Sequence, residues 1–91
     1  MELKDTVDWM TSESYTHRFA AEAAQLAIRI VKLDEMLDTY YKGTLDFTPT
    51  YPIAILEEQL SHMCDYQTSL VERDKFEFDG EIYKALTTNN I

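Results

Sequence analysis

Apolar residues recur at alternating spacings of three and four along two long segments, a pattern typical of amphipathic helices. In the first segment these positions are Phe19, Ala23, Leu26, Ile30, Leu33, Leu37 and Tyr40. In the second they are Ile53, Leu56, Leu60, Met63 and Leu70, with Tyr66 and Val71 beside an interruption at Gln67. Each set forms one stripe along a helix, and another element must cover such a stripe.

Capping and helix-breaking residues indicate where the two helices begin and end. Thr11 or Ser12 can cap the first helix, and Gly43 can end it in the left-handed conformation. Pro52 suits the first position of the second helix, where its missing amide donor is not needed. The predicted organisation is a single domain over 1–91, with an N-terminal segment 1–11, a helix 12–42, a loop 43–51, a helix 52–78 and a tail 79–91.

These elements predict an all-α fold. A short loop between two long helices forces them antiparallel, and residues 2–10 are expected to add a short N-terminal helix. A hairpin in a chain of 91 residues buries little apolar surface, because each helix covers only one stripe of the other. We therefore expect copies of the chain to associate into an oligomeric bundle.

Charge and cysteine content narrow the classes of partner. With 17 acidic and 8 basic residues, the net charge is −9, which repels nucleic acid and anionic membranes. No apolar run approaches the ~18 residues that span a bilayer, so neither DNA nor a membrane is an expected partner. The single cysteine, Cys64, suits a reducing cytosol, and the first residues lack the apolar core of a signal peptide.

Residue types that carry catalysis are not arranged in any recognisable constellation. With two glycines in all, the chain has no glycine-rich phosphate loop. His17 and His62 lack partners at metal-binding spacing, apart from Asp65 three residues after His62, which is at most half of a site. We predict a protein that is not an enzyme and that uses no metal or cofactor.

One flank of the first helix carries a local reversal of the overall charge. Its positions, which also repeat at spacings of three and four, are Tyr15, Arg18, Glu22, Gln25, Arg29 and Lys32. An aromatic ring with arginine and lysine is what stacking on a base and neutralising phosphates require. The alternative interpretation is an ordinary solvated flank beside a helix-packing seam.

Several short motifs occur together over residues 8–77. They are Asp8 to Glu13, Tyr15, Arg18-Phe19, Ile28-Arg29, Lys32-Leu33 and the loop string GTLDFTPT from Gly43 to Thr50, followed by Leu56, Gln59, Met63, Tyr66, Leu70, Glu72 and Arg73. This set resembles a group of small phage and prophage proteins labelled as relatives of a crAss-like phage gene product. The tail from Asp79 departs from that group. In shape, the predicted hairpin is similar to phage anti-CBASS and anti-Thoeris proteins, which assemble into multimers and sequester cyclic nucleotide signals.

The resemblance implies a phage-encoded protein that acts in the host cytoplasm as a multimeric sponge for a cyclic nucleotide immune signal and does not cleave it. Tyr15 would stack on a base. The phosphates or ribose would be bound by Arg18, Arg29 and Lys32. Hydroxyl hydrogen bonds would come from the loop residues Thr44, Thr48 and Thr50.

Two other functions fit the same sequence. The acidic surface could occupy a basic channel of a host defence nuclease, as an anti-CRISPR-like inhibitor that binds protein. Alternatively, the chain could be an oligomeric adaptor that binds no small ligand.

The central loop is equally open to two interpretations. Leu45 and Phe47 can anchor it on the end of the hairpin, while its threonines stay available to a ligand or a neighbouring copy.

Overall fold

The computed structural model describes residues 1–88, and in that part of the chain every regular element is helical. A 3₁₀ turn, Leu3–Thr6, leads into α1, Val7–Met10. The two long helices are α2, Tyr15–Tyr41, and α3, Ile53–Phe78, and a short helix α4, Glu81–Thr88, follows. The predicted all-α hairpin with a short N-terminal helix is confirmed. The last three residues of the predicted tail, 89–91, lie outside the described residues, and oligomerisation stays a prediction.

Helix α2 begins three residues later than the predicted start at residue 12. Ser14 is its N-cap, with extended backbone angles and a side-chain oxygen that accepts the His17 amide at 3.5 Å. The Ser12 hydroxyl instead accepts the amide of Ser14 at 3.1 Å, which holds the turn before the helix. Ser12 therefore stabilises the turn between α1 and α2 and is not the N-cap, because α2 begins only after Glu13 and Ser14.

The end of α2 follows the pattern expected of a helix that stops at glycine. Gly43 has a φ of +74°, and its amide donates to the carbonyl of Tyr40 at 3.0 Å. The Thr44 amide donates to the carbonyl of Thr39 at 3.1 Å. This pair of bonds is a Schellman motif, which satisfies carbonyls that the last turn of a helix leaves without partners.

Proline and two left-handed residues delimit α3. Pro52, with a ψ of 140°, stands just before the helix as its N-cap, and the first helical residue is Ile53. At the other end Asp79 and Gly80 both adopt positive φ, 54° and 78°. Two consecutive left-handed residues reverse the chain, so α4 turns back onto the hairpin.

The hydrophobic core lies at the end of the hairpin where the shorter helices pack. Phe19, Ala23 and Leu26 of α2 meet Leu70 of α3 and Leu86 of α4, all nearly or fully buried. Trp9, Ile30, Met63, Phe78, Ile82 and Tyr83 pack around this cluster. At the loop end, only α2 and α3 cover one another, which leaves apolar side chains exposed there.

Docking of α4 depends on a carboxylate in the core. Asp74 is 1% exposed, and its two oxygens accept the backbone amides of Ile82 at 3.1 Å and Tyr83 at 2.9 Å. These amides belong to the first turn of α4, where no carbonyl of the same helix can accept them. The acid in α3 therefore caps a different helix across the turn.

Candidate ligand-binding surface

Tyr15 lies where α2 begins and faces the end of α3. Its hydroxyl donates to Oε2 of Glu77 at 3.0 Å and accepts from Nη2 of Arg73 at 2.7 Å. The ring centroid is 6.0 Å from that of Phe78 and 6.5 Å from that of Phe19. The side chain is 45% exposed, so only its outer surface is open to a stacking base.

Arg73 connects the two long helices. Its guanidinium lies 3.8 Å from Glu22 and 3.9 Å from Glu77, and 5.0 Å from the centre of the Phe19 ring. The hydrogen bond with Tyr15 and the nearby carboxylates raise the pKa of Arg73 above its usual value. The Tyr66 hydroxyl also donates to Glu22. We call this group the interhelical clasp: Tyr15, Glu22, Tyr66, Arg73 and Glu77.

Arg18 stabilises the turn that precedes α2. Its Nη1 donates to the backbone carbonyls of Ser12 and Glu13, both at 2.8 Å. On the same flank, the Gln25 side chain donates to the Thr6 hydroxyl at 2.8 Å and so holds the N-terminal segment. Two members of the predicted binding stripe thus have local structural partners, and a ligand would have to compete with them.

Arg29 and Lys32 are exposed and make no ion pair within residues 1–88. Arg29 comes two helical turns after Glu22 and one turn before Leu33, so it lies on the side of α2 that bears the clasp. Lys32 borders a separate hollow beside Met1, Ile28, Val31 and Glu35, toward the N-terminal segment. Three positions apart on one helix, the two cations lie about 60° apart round its axis, and Lys32 is the one nearer the N-terminal segment.

An open apolar groove runs along the loop end of the hairpin, on the same side as the clasp. One part, of about 410 Å³, is lined by Ile55, Glu58, Gln59, His62, Met63 and Tyr66. The other, of about 330 Å³, is lined by Leu33, Met36, Leu56, Gln59 and the loop residues 47–51. These volumes lie in the range of small-molecule sites, but both parts are open to solvent. We call these two adjoining parts the apolar groove.

Of the three predicted loop threonines, two line the groove and one stabilises the end of α2. Thr48 and Thr50 line the apolar groove together with Phe47 and Tyr51, which are more than half exposed. Thr44 instead belongs to the end of α2, where its hydroxyl donates to the Thr39 carbonyl at 3.4 Å. The loop is long because it forms one wall of the groove as well as a turn.

The predicted site residues do not converge on one point of a single chain. Tyr15 and Met36 are separated by 21 positions on one helix, which is about 31 Å. Thr48 and Thr50 line the groove and Arg29 comes one helical turn before its Leu33, whereas Tyr15 and Arg18 lie at the opposite end of the hairpin. Their joint role in binding stays a prediction, and one ligand could contact both ends only if two chains met.

Sequence reasoning missed Gln59 and Arg73 as candidate functional side chains. Both are among the motifs that carry the phage-protein resemblance, but neither stands in the cationic stripe of the first helix. They flank the apolar stripe of α3, at the edge that faces the clasp and the groove. A flank analysis of the second helix, like that applied to the first, would have identified them.

The opposite side of the hairpin is acidic. Asp34, Asp38 and Glu57 surround a shallow hollow that Tyr41 also lines. A hydrogen bond with Glu57 raises the pKa of Tyr41 above its usual value. Among residues 1–88, no three His, Cys, Asp or Glu side chains are grouped as a metal site requires. No helix in the same range is long and apolar enough to cross a membrane.

Comparison with protein families gives one match. The family model named Sequestin matches residues 13–75, well over half of the chain. The chain belongs to the Sequestin family. The match covers α2, the loop and nearly all of α3, while α1 and α4 lie outside it. The name indicates a sequestering function, which is compatible with the sponge function that the resemblance implies. No curated protein and no solved structure matches the chain.

Proposed function

We propose that this protein is a phage counter-defence protein that sequesters a cyclic nucleotide immune signal, of the CBASS or Thoeris type, without cleaving it. Membership of the Sequestin family supports sequestration. The observation that carries the choice of ligand is Arg29, an exposed cation without a carboxylate partner in residues 1–88, one helical turn before Leu33 of the apolar groove. Guanidinium binds phosphate through paired, charge-assisted hydrogen bonds.

The groove offers groups that could bind the bases and the ribose of a nucleotide. Its walls are aliphatic and aromatic, and they include the exposed rings of Phe47, Tyr51 and Tyr66. Such rings stack on the faces of bases. The hydroxyls of Thr48 and Thr50 are placed to bond ribose or phosphate oxygens. A compact anion with attached bases fits a surface that combines these groups with one arginine.

The proposed active form is a homo-oligomer. In one chain the groove is open, whereas tight sites enclose most of the surface of a small ligand. A second copy laid over the groove would supply the missing wall and exclude water, which strengthens each charged hydrogen bond. It could also bring Tyr15, Arg18 or Lys32 from the far end of its own hairpin toward the ligand.

The test is calorimetric titration and thermal-shift measurement with cyclic dinucleotides, cyclic trinucleotides and cyclic ADP-ribose isomers. A ligand at one hundred times its Kd would stabilise the folded protein by about 2.7 kcal/mol. Mass spectrometry of the ligand released by denaturation should recover it intact, because a sponge does not cleave it. If no member of the panel binds or stabilises the protein at micromolar concentration, the proposal is wrong.

Arg29→Ala should weaken binding at least tenfold, because it removes an exposed cation one helical turn from the groove that has no acidic partner in residues 1–88. Lys75→Ala is the matched control. It removes the same charge from an exposed position near the end of α3, outside the groove. Equal losses for both variants would mean that Arg29 acts only through net charge.

The acidic face formed by Asp34, Asp38 and Glu57 favours a second candidate function, inhibition of a host defence nuclease through its basic channel. That function predicts capture of a basic host protein that high salt abolishes. Replacing the three acids with amides should then remove activity, and Arg29→Ala should not. Native mass spectrometry separates these functions from that of a ligand-free adaptor, because it reports the oligomer and any retained nucleotide together.

A further inference from the structure

Gln59 occupies the centre of the apolar groove. It is the residue shared by the two parts, with Ile55, Met63 and Tyr66 on one side and Leu33, Met36 and Leu56 on the other. Its side-chain nitrogen has one polar contact, the Met63 sulfur at 3.9 Å. Thioether sulfur is a weak acceptor, so the amide keeps nearly all of its hydrogen-bonding capacity.

A primary amide presents a donor and an acceptor side by side, and this arrangement distinguishes the nucleobases. The amide of glutamine pairs with adenine through two bonds, accepting from the N6 amino group and donating to N7. Guanine presents two acceptors, O6 and N7, at the same edge. The oxygen of the amide would then face O6, another acceptor, and one bond would be lost.

The surroundings of Gln59 strengthen this preference. Most of its neighbours in the groove are apolar, so few other polar groups compete with the amide for the edge of a bound base. The exposed rings of Tyr51 and Phe47 lie along the loop wall of the same cavity. Stacking on such rings holds a base with little dependence on its identity, which leaves the choice of base to the amide.

We infer that Gln59 is the specificity-determining residue of the groove and selects a ligand that contains adenine. The inference rests on the proposed function and deepens it from cyclic nucleotides in general to those with an adenine N6–N7 edge free to pair. In this arrangement Gln59 reads the base while Arg29 binds phosphate.

The experiment compares Kd values for two cyclic dinucleotides, cyclic di-AMP and cyclic di-GMP, and for cyclic tri-AMP and cyclic ADP-ribose isomers. Wild-type protein should prefer its best adenine-containing probe to cyclic di-GMP by at least about fivefold. Because a bidentate amide–base pair discriminates by about 5- to 160-fold, Gln59→Leu should weaken binding of that probe by this factor. It should leave cyclic di-GMP unchanged, so the preference disappears.

Two further arms separate specificity from simple loss of packing. Gln59→Glu keeps the size of the side chain but replaces its donor with an acceptor, and should weaken adenine binding at least as much as leucine does. An analogue of the best probe that contains 7-deazaadenine lacks N7. It should bind wild-type protein more weakly than the parent probe does, whereas Gln59→Leu should bind the analogue and the parent probe equally well. Circular dichroism checks folding, which leucine at an exposed helix position preserves.

The outcomes distinguish this inference from the proposed function. If no probe binds wild-type protein, the proposed function and the inference both fail. If adenine probes bind and Gln59→Leu binds them equally well, the inference is overturned and the proposed function stands. A wild-type preference for cyclic di-GMP would overturn the inference in the same way.

Discussion

The docking of α4 makes a sharp prediction about stability. Asp74→Ala removes both acceptors of the first turn of α4, the carboxylate oxygens at 3.1 Å from the Ile82 amide and 2.9 Å from the Tyr83 amide. Hydrogen bonds to a charged group contribute about 1.5–3 kcal/mol each. The freed amides regain some bonding to water when the end of the helix frays, so the expected loss is about 2–4 kcal/mol of unfolding free energy.

Urea unfolding followed by circular dichroism measures this loss, with Glu72→Ala as the matched control. Glu72 is an exposed acid on α3 without an ion pair in residues 1–88, and its removal should change stability by less than about 0.5 kcal/mol. Hydrogen exchange adds a local readout. The amides of Ile82 and Tyr83 should lose most of their protection in Asp74→Ala. Amides in the middle of α2 should lose only as much protection as the fall in global unfolding free energy accounts for.

A competing expectation makes the test decisive. Asp74 has no cation beside it in the described structure, and a buried charge without a partner can destabilise a fold. If that cost exceeded the value of the two amide bonds, Asp74→Ala would raise the unfolding free energy. A gain in stability, or a loss no larger than that of Glu72→Ala, would refute the capping role.

Three other substitutions test the core, a buried hydroxyl and the turn. Leu70→Ala should cost about 2–5 kcal/mol in urea unfolding because Leu70 is fully buried, whereas Ile55→Ala, at a half-exposed position, should cost far less. Tyr83 has a buried hydroxyl without a partner in residues 1–88, and burial with nearby carboxylates raises its pKa to about 12. Tyr83→Phe should therefore be neutral or stabilising by about 1 kcal/mol. The unfolded chain loses this proton near pH 10 and the folded chain only near 12, so wild-type protein should lose stability relative to Tyr83→Phe as pH rises through that window; a constant difference would contradict the pKa shift. Gly43→Ala should cost about 1 kcal/mol through its φ of +74° alone, since a Cβ there meets no atom within 4 Å, and an equal cost for Gly43→Asn would contradict a backbone origin.

Periodicity and capping predicted the hairpin well because they act over a few residues. The stripes of α2 and α3 each recur within one helix, and Gly43 and Pro52 impose local backbone angles that no distant contact needs to support. The start of α2 was placed three residues early for a related reason. Ser12 and Ser14 are equally good caps by type, and only the path of the chain from α1 selects Ser14.

The candidate site was less predictable, because the sequence identifies side chains that can bind a ligand but not the protein groups that already bind them. Arg18 is held by two backbone carbonyls and Tyr15 by Arg73 and Glu77, contacts that bring together residues far apart in the chain or in a turn. Arg29 was predicted from the same stripe, and the structure leaves it exposed, one helical turn before Leu33 of the groove. Gln59 becomes a candidate binding residue only in the folded structure, where two helices and the loop form the walls of the groove around it.

The sequence alone determined the helical class, the antiparallel pairing, the acidic charge and the loop string GTLDFTPT, since each is a property of composition or of neighbours in the chain. Tertiary structure decided the rest. It folded α4 back onto the hairpin through the carboxylate of Asp74, and it brought Met1 of the N-terminal segment beside Lys32 of α2. The physical reason is that a helix repeats every 3.6 residues whatever surrounds it, whereas the environment of a side chain depends on which distant segments pack against it.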